Sequence, residues 1–320
     1  MTYGTGNIID DGDYNTFATG TVTGASNHSV QNLNTLWSGG STNRGYGQAG
    51  AISAVTPGSI ITATQWSTLF NRMDTIASHQ ATSITSITNP TVGDEIAAYN
   101  AFVTNLNSIW NSRLNCGASG TPVIQSTNRT GSWLNQVNFT KTVTWNSSAE
   151  RRYFFNTGGT ISLAFSRSGG TVNATNTEWT DLLNKAGTLR LTGATPSVNS
   201  GNAVIAGTTH QGFNKLGGSG TPATLASGIG FYETTTSNQL LFQQFADTAP
   251  YGTNNIQVYV RRGTNSLIFT VIMKDNDSGT DPDNTVNGTL NCTMSYTPPS
   301  TAYISNSWGS ISQSGSQTGS

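Results

Sequence analysis

The chain has 320 residues, of which 14 are Lys or Arg and 15 are Asp or Glu, and its formal net charge is -1. Charged residues make up 9% of the chain, against about 25% in typical soluble domains. Such a surface of amides and hydroxyls favours a structural protein that packs permanently against copies of itself or other subunits. The charge leaves no basic surface for nucleic acid, and no apolar stretch approaches the ~20 residues that span a bilayer, so neither nucleic-acid binding nor membrane insertion is expected.

The length and the change of pattern along the chain predict an α+β protein with two domains. We expect a small helical domain over residues 1–118 and a mainly antiparallel β-sandwich with one inserted helix over 119–298. Residues 299–320 form a polar tail, and one large β domain with appendages is the alternative. Cys116 and Cys292 are too few for a disulfide framework, and free thiols in a reducing cytosol are expected.

Three helices are predicted in the first third of the chain. A short helix follows residues 27–29, which can cap it, and a longer one begins after a cap at Thr62 or Thr64. The third begins near residues 94–95, two acids that suit the positive end of a helix dipole. Apolar residues recur at spacings of three and four, as a buried helix face requires. These residues are Val30, Leu33, Leu36 and Trp37 in the first helix, Trp66, Leu69, Phe70, Met73, Ile76 and Ala77 in the second, and Ile96, Tyr99, Phe102, Val103, Leu106, Ile109 and Trp110 in the third.

From about residue 120 the apolar period changes to two, which is typical of half-buried strands. The predicted strands are near residues 137–145, 161–165, 188–192, 228–235, 239–245, 256–261, 266–274 and 286–296. One helix interrupts them, capped by Asn176 or Thr177 and ended by Gly187. The succession predicts an antiparallel sandwich that packs this helix on one face.

After residue 298 the sequence consists mainly of Ser, Gly, Gln and Thr, with few apolar residues. Such a segment cannot bury enough apolar surface to fold alone. It is therefore expected either to be disordered or to lie extended across a neighbouring subunit, with Trp308 as the anchor.

The residue pattern does not favour an enzyme. The three histidines, His28, His79 and His210, lie in different segments, and no Gly-X-Ser-X-Gly nucleophile motif accompanies them. Structural roles are expected for His79 and His210. Glycoside cleavage needs two acids across a sugar-sized cleft, and the acids of the β-rich part show no diagnostic spacing. These acids are Glu150, Glu178, Asp181 and Glu233.

One acidic cluster is similar to a calcium-binding loop. Asp275, Asp277, Asp281 and Asp283 alternate with other oxygen-bearing residues around a glycine, and calcium prefers such oxygen ligands on a tightly turned backbone. The glutamate expected at the end of such a loop is missing. The alternative is a solvated acidic hairpin tip that joins the strand at 267–273 to the strand at 286–296. No other cofactor is indicated.

Aromatic residues provide the remaining candidate binding sites. Trp133 and Tyr251 are not placed in a core by the pattern, and they are candidates for stacking against a sugar ring. Tyr46 lies in a glycine-rich loop that suits a contact between subunits, although an ordinary loop with a packed tyrosine is an equal alternative. Trp308 is the second candidate interface residue.

The order of several motifs resembles virion structural proteins of tailed bacteriophages, notably those that infect cyanobacteria and marine bacteria. The resemblance is carried by residues 13–15, 33–37, 45–48, 55–69, 79–80, 152–159, 176–183 and 286–290. It implies a structural subunit in the virion, made in the host cytoplasm, and it brings no catalytic residues.

The sequence therefore predicts a non-enzymatic subunit of a tail or neck fibre or appendage, in the collar or baseplate, whose partners are copies of itself and neighbouring virion proteins. Two alternatives stay open. One is a head decoration or head-fibre protein, and the other is a tail protein that binds or depolymerises a host surface polysaccharide.

Overall fold

The computed structural model describes residues 11–20, 31–40, 42–91, 99–194, 202–276 and 285–319. Within these residues the chain has the predicted α+β fold, with helices first and antiparallel sheets after them. The helices are α1 (Asp11–Ala18), α2 (Leu33–Trp37), α3 (Ala63–Gln80), α4 (Tyr99–Asn111), α5 (Ser148–Asn156) and α6 (Ala174–Ala186). None of the helices described is both long and apolar enough to cross a membrane.

The strands form two large sheets and one small hairpin. The strands are β1 (Val123–Thr130), β2 (Gln136–Trp145), β3 (Thr160–Ser168), β4 (Thr188–Leu191), β5 (Ala203–Ile205), β6 (Thr208–His210), β7 (Phe213–Leu216), β8 (Thr224–Leu225), β9 (Gln239–Phe245), β10 (Asn255–Arg262), β11 (Ser266–Lys274), β12 (Thr289–Thr297) and β13 (Ile311–Gly319). One sheet has the order β1-β12-β3-β4-β7 and the other has the order β13-β2-β11-β10-β9-β8, while β5 and β6 form the hairpin.

The helices begin where short polar side chains satisfy free backbone N–H groups. Thr62 caps α3 and forms a capping box with Gln65, which confirms the first of the two predicted caps. Asn32 caps α2, so the cap lies closer to the helix than the predicted residues 27–29, which are outside the described residues. Residues 94–95 are also outside them. Helix α1 was not predicted, because eight residues with few apolar side chains give a weak pattern.

The sandwich interior follows the two-residue period of the sequence. Alternate side chains of β2, β10, β11 and β12 are buried, and both sheets contribute to one continuous apolar cluster that also contains the faces of the helices. The inward side chains of β2 are Val137, Phe139, Lys141, Val143 and Trp145. All but one of these are apolar. The exception, Lys141, is fully buried near the edge of its sheet.

Among the described residues, two α-helices interrupt the strands, not the single predicted one. Ser147 caps the additional helix α5, where Phe154 and Phe155 pack against Trp145 with ring centroids 5.4 and 6.0 Å away. The pattern missed α5 because its apolar residues are adjacent rather than spaced by three or four. Helix α6 ends at Gly187, as predicted, but Asn173 caps it instead of residues 176–177.

One predicted strand and one predicted hairpin are wrong. Residues 228–235 contain a short 3-10 helix, Phe231–Glu233, because Phe231 stacks on Phe155 with centroids 4.3 Å apart and the Glu233 carboxylate accepts from the Gly230 N–H. The strands that flank the acidic cluster, β11 and β12, lie in different sheets. The connection between them crosses from one sheet to the other, so it is not a hairpin tip.

The polar segment after residue 298 is part of the fold, and the predicted tail over 299–320 is therefore wrong. Strand β13 pairs with β2 along nine residues, from Ile311 opposite Trp145 to Gly319 opposite Val137. Ile304 and Trp308 are buried in the common core. The segment could fold because it adds a strand to an existing sheet, where the backbone provides the hydrogen bonds and few apolar side chains are needed.

Candidate functional site

The predicted binding aromatics lie in the interior. The exposed fractions are 2% for Trp133, 5% for Tyr251, 0% for Tyr46 and 4% for Trp308. Trp133 packs edge-on against Trp179, with ring centroids 4.9 Å apart. Trp133 and Tyr251 therefore do not offer a face to a sugar ring, and that prediction is wrong. Tyr46 and Trp308 contact their own chain and do not serve as surface contacts with another subunit, because burial leaves their rings inaccessible.

Tyr46 belongs instead to a buried polar layer between the helices and the sandwich, which we call the amide seam and define as Tyr46, His79, Gln80, Arg113 and Asn156. The Tyr46 hydroxyl donates to Arg113 O at 3.1 Å and accepts from Gln80 Nε2 at 2.7 Å. Gln80 Nε2 also donates to Ile109 O at 2.9 Å. The Asn156 amide donates to Gly45 O at 3.0 Å. These bonds join α3, α4 and α5 to one loop.

His79 closes the seam on the sandwich side. Its Nε2 lies 3.1 Å from Thr157 O, and because a carbonyl can only accept, Nε2 carries the proton. Burial lowers the pKa of His79 to about 4. His210 is also buried, 3.4 Å from Arg190 Nη1. Burial and then the Arg190 charge lower its pKa to about 4. Both imidazoles are neutral near pH 7 and act as structural groups, whereas His28 is outside the described residues.

The acidic cluster predicted to bind calcium is only partly described. Asp275 is buried, and its Oδ1 accepts from Asn254 Nδ2 at 2.6 Å and from Trp179 Nε1 at 3.4 Å. This oxygen therefore positions the end of β11 against α6. Asp277, Asp281 and Asp283 lie outside the described residues, so a calcium site at this crossing stays a prediction.

Three other acids come together beside α6. Single carboxylate oxygens of Glu178, Asp181 and Asp247 lie within 4.8 Å of one another. Lys185 Nζ donates to both oxygens of Asp247 at 2.6 Å and also pairs with Asp181. Its hydrogen bonds to Asp181 and Asp247 raise the pKa of Lys185, and the bond from Lys185 lowers the pKa of Asp247. The lysine therefore supplies the positive charge that this carboxylate cluster requires.

The other two acids considered from the sequence have local roles. Glu150 Oε2 accepts from Asn146 N at 3.1 Å, just before α5. Glu233 accepts from Gly230 N in the 3-10 helix, as described above. Of the four acids, the fold thus brings only Glu178 and Asp181 together, with Asp247 as the member that the sequence did not indicate.

A groove of about 470 Å³, lined by both polar side chains and apolar surface, runs between the end of β3 and α6. Its walls present a guanidinium, amides, hydroxyls and one carboxylate, from Arg167, Thr171, Asn176, Thr180, Asp181 and Asn184. Arg167 Nε donates to Asn287 O at 2.8 Å, and Nη1 donates to Asn176 O and Thr180 Oγ1 at 3.2 Å. The arginine fixes the groove wall by joining β3, α6 and the segment just before β12.

A charge-poor surface lies where the ends of the two sheets meet. Strands β1 and β13 are end strands of different sheets, and Gln313 Nε2 of β13 donates to Val123 O of β1 at 2.9 Å. We call eight of their exposed residues the polar edge, and Val123, Gly315 and Gly319 are exposed as well. It consists of Ile124, Ser126, Asn128 and Thr130 on β1 and of Ser312, Ser314, Ser316 and Thr318 on β13. None of these eight side chains is ionisable, and seven are hydroxyls or amides.

Both cysteines are buried, free thiols. Burial raises the pKa of Cys292 to about 12, and burial also raises the pKa of Cys116. Since the thiolate is the reactive form, neither side chain is poised as a nucleophile near neutral pH.

Comparisons of this chain with protein-family models, with curated proteins and with solved structures find no significant match.

Proposed function

We propose that this chain is a structural subunit of a tailed-bacteriophage virion, in a tail or neck appendage, where it binds copies of itself and neighbouring virion proteins. Its action is mechanical and adhesive. The motif order described above supports the family, and the polar edge supports the kind of role. The observation that carries the proposal is the polar edge, because it is a long strand surface without the charges that normally keep such strands apart.

The surface chemistry fits permanent assembly. Hydroxyls and amides pair with a partner through short hydrogen bonds and carry no charge that must be desolvated. Soluble monomers usually place mixed charges on their surface, above all on exposed strand edges. A subunit that always has neighbours does not need them.

The proposal is tested on purified particles. Mass spectrometry should detect the protein in virions purified on a density gradient, and gold-labelled antibodies should mark the tail or the neck in electron micrographs. Labels spread over the capsid would favour the alternative of a head decoration or head-fibre protein. Absence of the protein from purified virions would contradict a virion role altogether.

A second candidate function, binding of a host surface polysaccharide, is favoured by the groove beside α6. Its amides, hydroxyls and single carboxylate are the groups that hydrogen-bond sugar hydroxyls, and its volume suits a small ligand. A glycan array should then show binding that Asn184→Ala weakens and Asn202→Ala, an exposed change elsewhere, leaves unchanged. New reducing ends after incubation with the glycan would indicate a depolymerase and contradict the non-enzymatic role.

A further inference from the structure

The four end strands of the two large sheets differ in how their outer edges are protected. An unpaired strand edge is a template for another strand, and proteins usually shorten it, charge it or cover it. Strand β8 has two residues, and β7 has four, among them Lys215. Each of these two strands lies at the opposite end of its sheet from the polar edge. Both are too short to template a long partner strand.

Side chains of the other sheet form hydrogen bonds to β1 at its outer edge. Lys141 Nζ reaches across from β2 and donates to Gln125 O at 3.2 Å, to Gln125 Oε1 at 2.7 Å and to Thr127 Oγ1 at 2.8 Å. Gln313 of β13 donates to Val123 O, as noted above. Backbone carbonyls of β1 are thus already hydrogen-bonded by side chains of the other sheet, and these contacts close the sandwich at this side.

Strand β13 is neither short nor charged, and the side-chain contact to its backbone lies at its first residue, where the Tyr296 hydroxyl donates to Ile311 O at 3.4 Å. It extends over nine residues in unbroken register with β2, it has no charged residue, and β2 is its only strand partner in the described part of the chain. Gly315, at its centre, is exposed. Thr127 and Gln125 of β1 fill the position that a side chain would take at Gly315, so the surface that this residue exposes is backbone. A long, regular and uncharged edge of this kind is suited to pairing with another strand.

The sequence of β13 identifies the partner. Residues 312–318 read Ser-Gln-Ser-Gly-Ser-Gln-Thr, which is a palindrome about Gly315 apart from the exchange of Ser for Thr at its ends. Two antiparallel copies centred on Gly315 would place each residue opposite its own kind, except that Ser312 would face Thr318. Gln313 would lie opposite Gln317 and Ser314 opposite Ser316 of the other copy. Such hydroxyl and amide pairs stabilise adjacent strands, and no like charges face each other.

We infer that two copies of this chain pair through β13, antiparallel and about a two-fold axis at Gly315, and so join their six-stranded sheets edge to edge. This inference rests on the proposed function in one respect, that copies of the chain associate, and it names the surface that they use. The two-fold arrangement follows from self-complementarity, since an isologous interface uses the same patch on both subunits. A head-to-tail arrangement that continues the six-stranded sheet would pair β13 with the two-residue β8 of the next copy, which cannot match its length.

Charge substitutions on the outer face of β13 test the inference directly. Ser314 and Ser316 are exposed, so Ser314→Lys with Ser316→Lys should leave the fold intact while placing like charges opposite each other in the pair. Light scattering should give twice 33.6 kDa for the unmodified chain and 33.6 kDa for the lysine variant. The matching variant with Ser314→Glu and Ser316→Glu should also be monomeric, and an equimolar mixture of the two variants should recover the dimer.

The matched control places the same charges on β1. Asn128→Lys with Thr130→Lys alters two exposed residues of the other half of the polar edge and should leave the dimer intact. A monomeric unmodified chain at micromolar concentration, or lysine and glutamate variants that remain dimeric, would overturn the inference. Circular dichroism of each variant checks its fold, and should one misfold, Ser314→Cys with Ser316→Cys must give a disulfide-linked dimer on mild oxidation. Its absence would also overturn the pairing.

The two proposals fail separately. A chain that dimerises through β13 but is missing from purified virions contradicts the virion role and leaves the pairing intact. A chain that is present in virions but is monomeric in solution contradicts the pairing and leaves the virion role intact.

Discussion

The interior of the sandwich and the amide seam are both fully buried, yet different interactions hold them together. In the sandwich, alternating apolar side chains such as Phe139 and Phe269 of the six-stranded sheet are buried in a core to which both sheets contribute. In the seam, Tyr46, Gln80 and Asn156 form hydrogen bonds to backbone carbonyls of distant segments. The sandwich therefore depends on packing volume, whereas the seam depends on partners that must be correctly placed, because a buried polar group without a partner destabilises the fold.

This difference predicts how each region responds to substitution. Truncation of a buried apolar side chain lowers the free energy of unfolding in proportion to the volume removed, because the neighbouring side chains relax only in part. In a hydrogen-bonded layer, the free energy of unfolding falls when one partner of a hydrogen bond is removed, because the other partner is left buried and unsatisfied. The four predictions below separate these two cases, in order of decreasing effect.

The largest effect is expected for truncation in the sandwich. Phe269→Ala on β11 removes a ring that is 1% exposed, and it should lower the free energy of unfolding by about 3–5 kcal/mol. Denaturant titration followed by tryptophan fluorescence measures the change. Asn128→Ala on the exposed face of β1 is the control, with an expected change within about 0.5 kcal/mol. A loss below about 1 kcal/mol for Phe269→Ala would contradict the packing of both sheets in one core.

In the seam, Gln80→Ala should lower the free energy of unfolding by about 1–3 kcal/mol, because Ile109 O and the Tyr46 hydroxyl lose the same donor. Gln80→Met is the matched variant, since it fills nearly the same volume without donating a hydrogen bond. If the hydrogen bonds matter more than the volume, Gln80→Met should be destabilised almost as much as Gln80→Ala. Full stability of Gln80→Met would show that the seam, like the sandwich, depends on packing.

The two regions should also differ in their response to pH. Burial lowers the pKa of His79 from its ordinary 6.5 to about 4 in the folded chain, so the unfolded chain binds the proton first as the pH falls. The stability that neutral His79 contributes is therefore complete above about pH 6.5 and is lost as the pH falls toward 4. His210 adds to the loss in the same interval. Thermal unfolding between pH 7 and 4 measures it, and His79→Gln, which can still donate to Thr157 O, should show a smaller decrease in Tm. An equal decrease in Tm for the unmodified chain and for His79→Gln would show that His79 does not contribute to the loss of stability at low pH.

The smallest effect is expected at the start of α3, on the helical side of the seam. Thr62→Ala removes the capping box with Gln65 and should lower the free energy of unfolding by about 1 kcal/mol. Thr64→Ala, two residues further on, should change it much less because Thr62 already provides the cap. Chemical denaturation of the two variants distinguishes them. A larger loss for Thr64→Ala would contradict the capping assignment.

Much of the sandwich could be predicted from the sequence because its signal is local. Val137, Phe139 and Val143 alternate with polar residues, and that alternation alone places them on one face of a strand. The same argument placed Leu69 and Met73 on the buried face of α3. The sheet order could not be predicted, since the pairing of β12 with both β1 and β3 depends on contacts between segments far apart in the sequence.

The seam was not predicted because its residues give no local signal. Gln80 and Asn156 are polar residues in a chain where amides are abundant, and nothing in their immediate neighbours distinguishes them from exposed ones. The prediction that Trp133 and Tyr251 stack against a sugar is wrong for a related reason. A single aromatic residue outside a periodic pattern can be either buried or exposed. The strand β13 was missed because it has almost no apolar residues, and backbone pairing with β2 holds it in place.

The loop that contains Tyr46 is bonded to a segment that lies more than 250 residues later. Gln48 Nε2 donates to Ser305 O, and Ser305 N donates to Gln48 Oε1, both at 2.8 Å across a separation of 257 residues. The ribosome must therefore synthesise most of the chain before Gln48 can pair with Ser305. Contacts so distant in sequence slow folding, and we expect the helical part to stay incompletely packed until Ser305 is available to pair with Gln48.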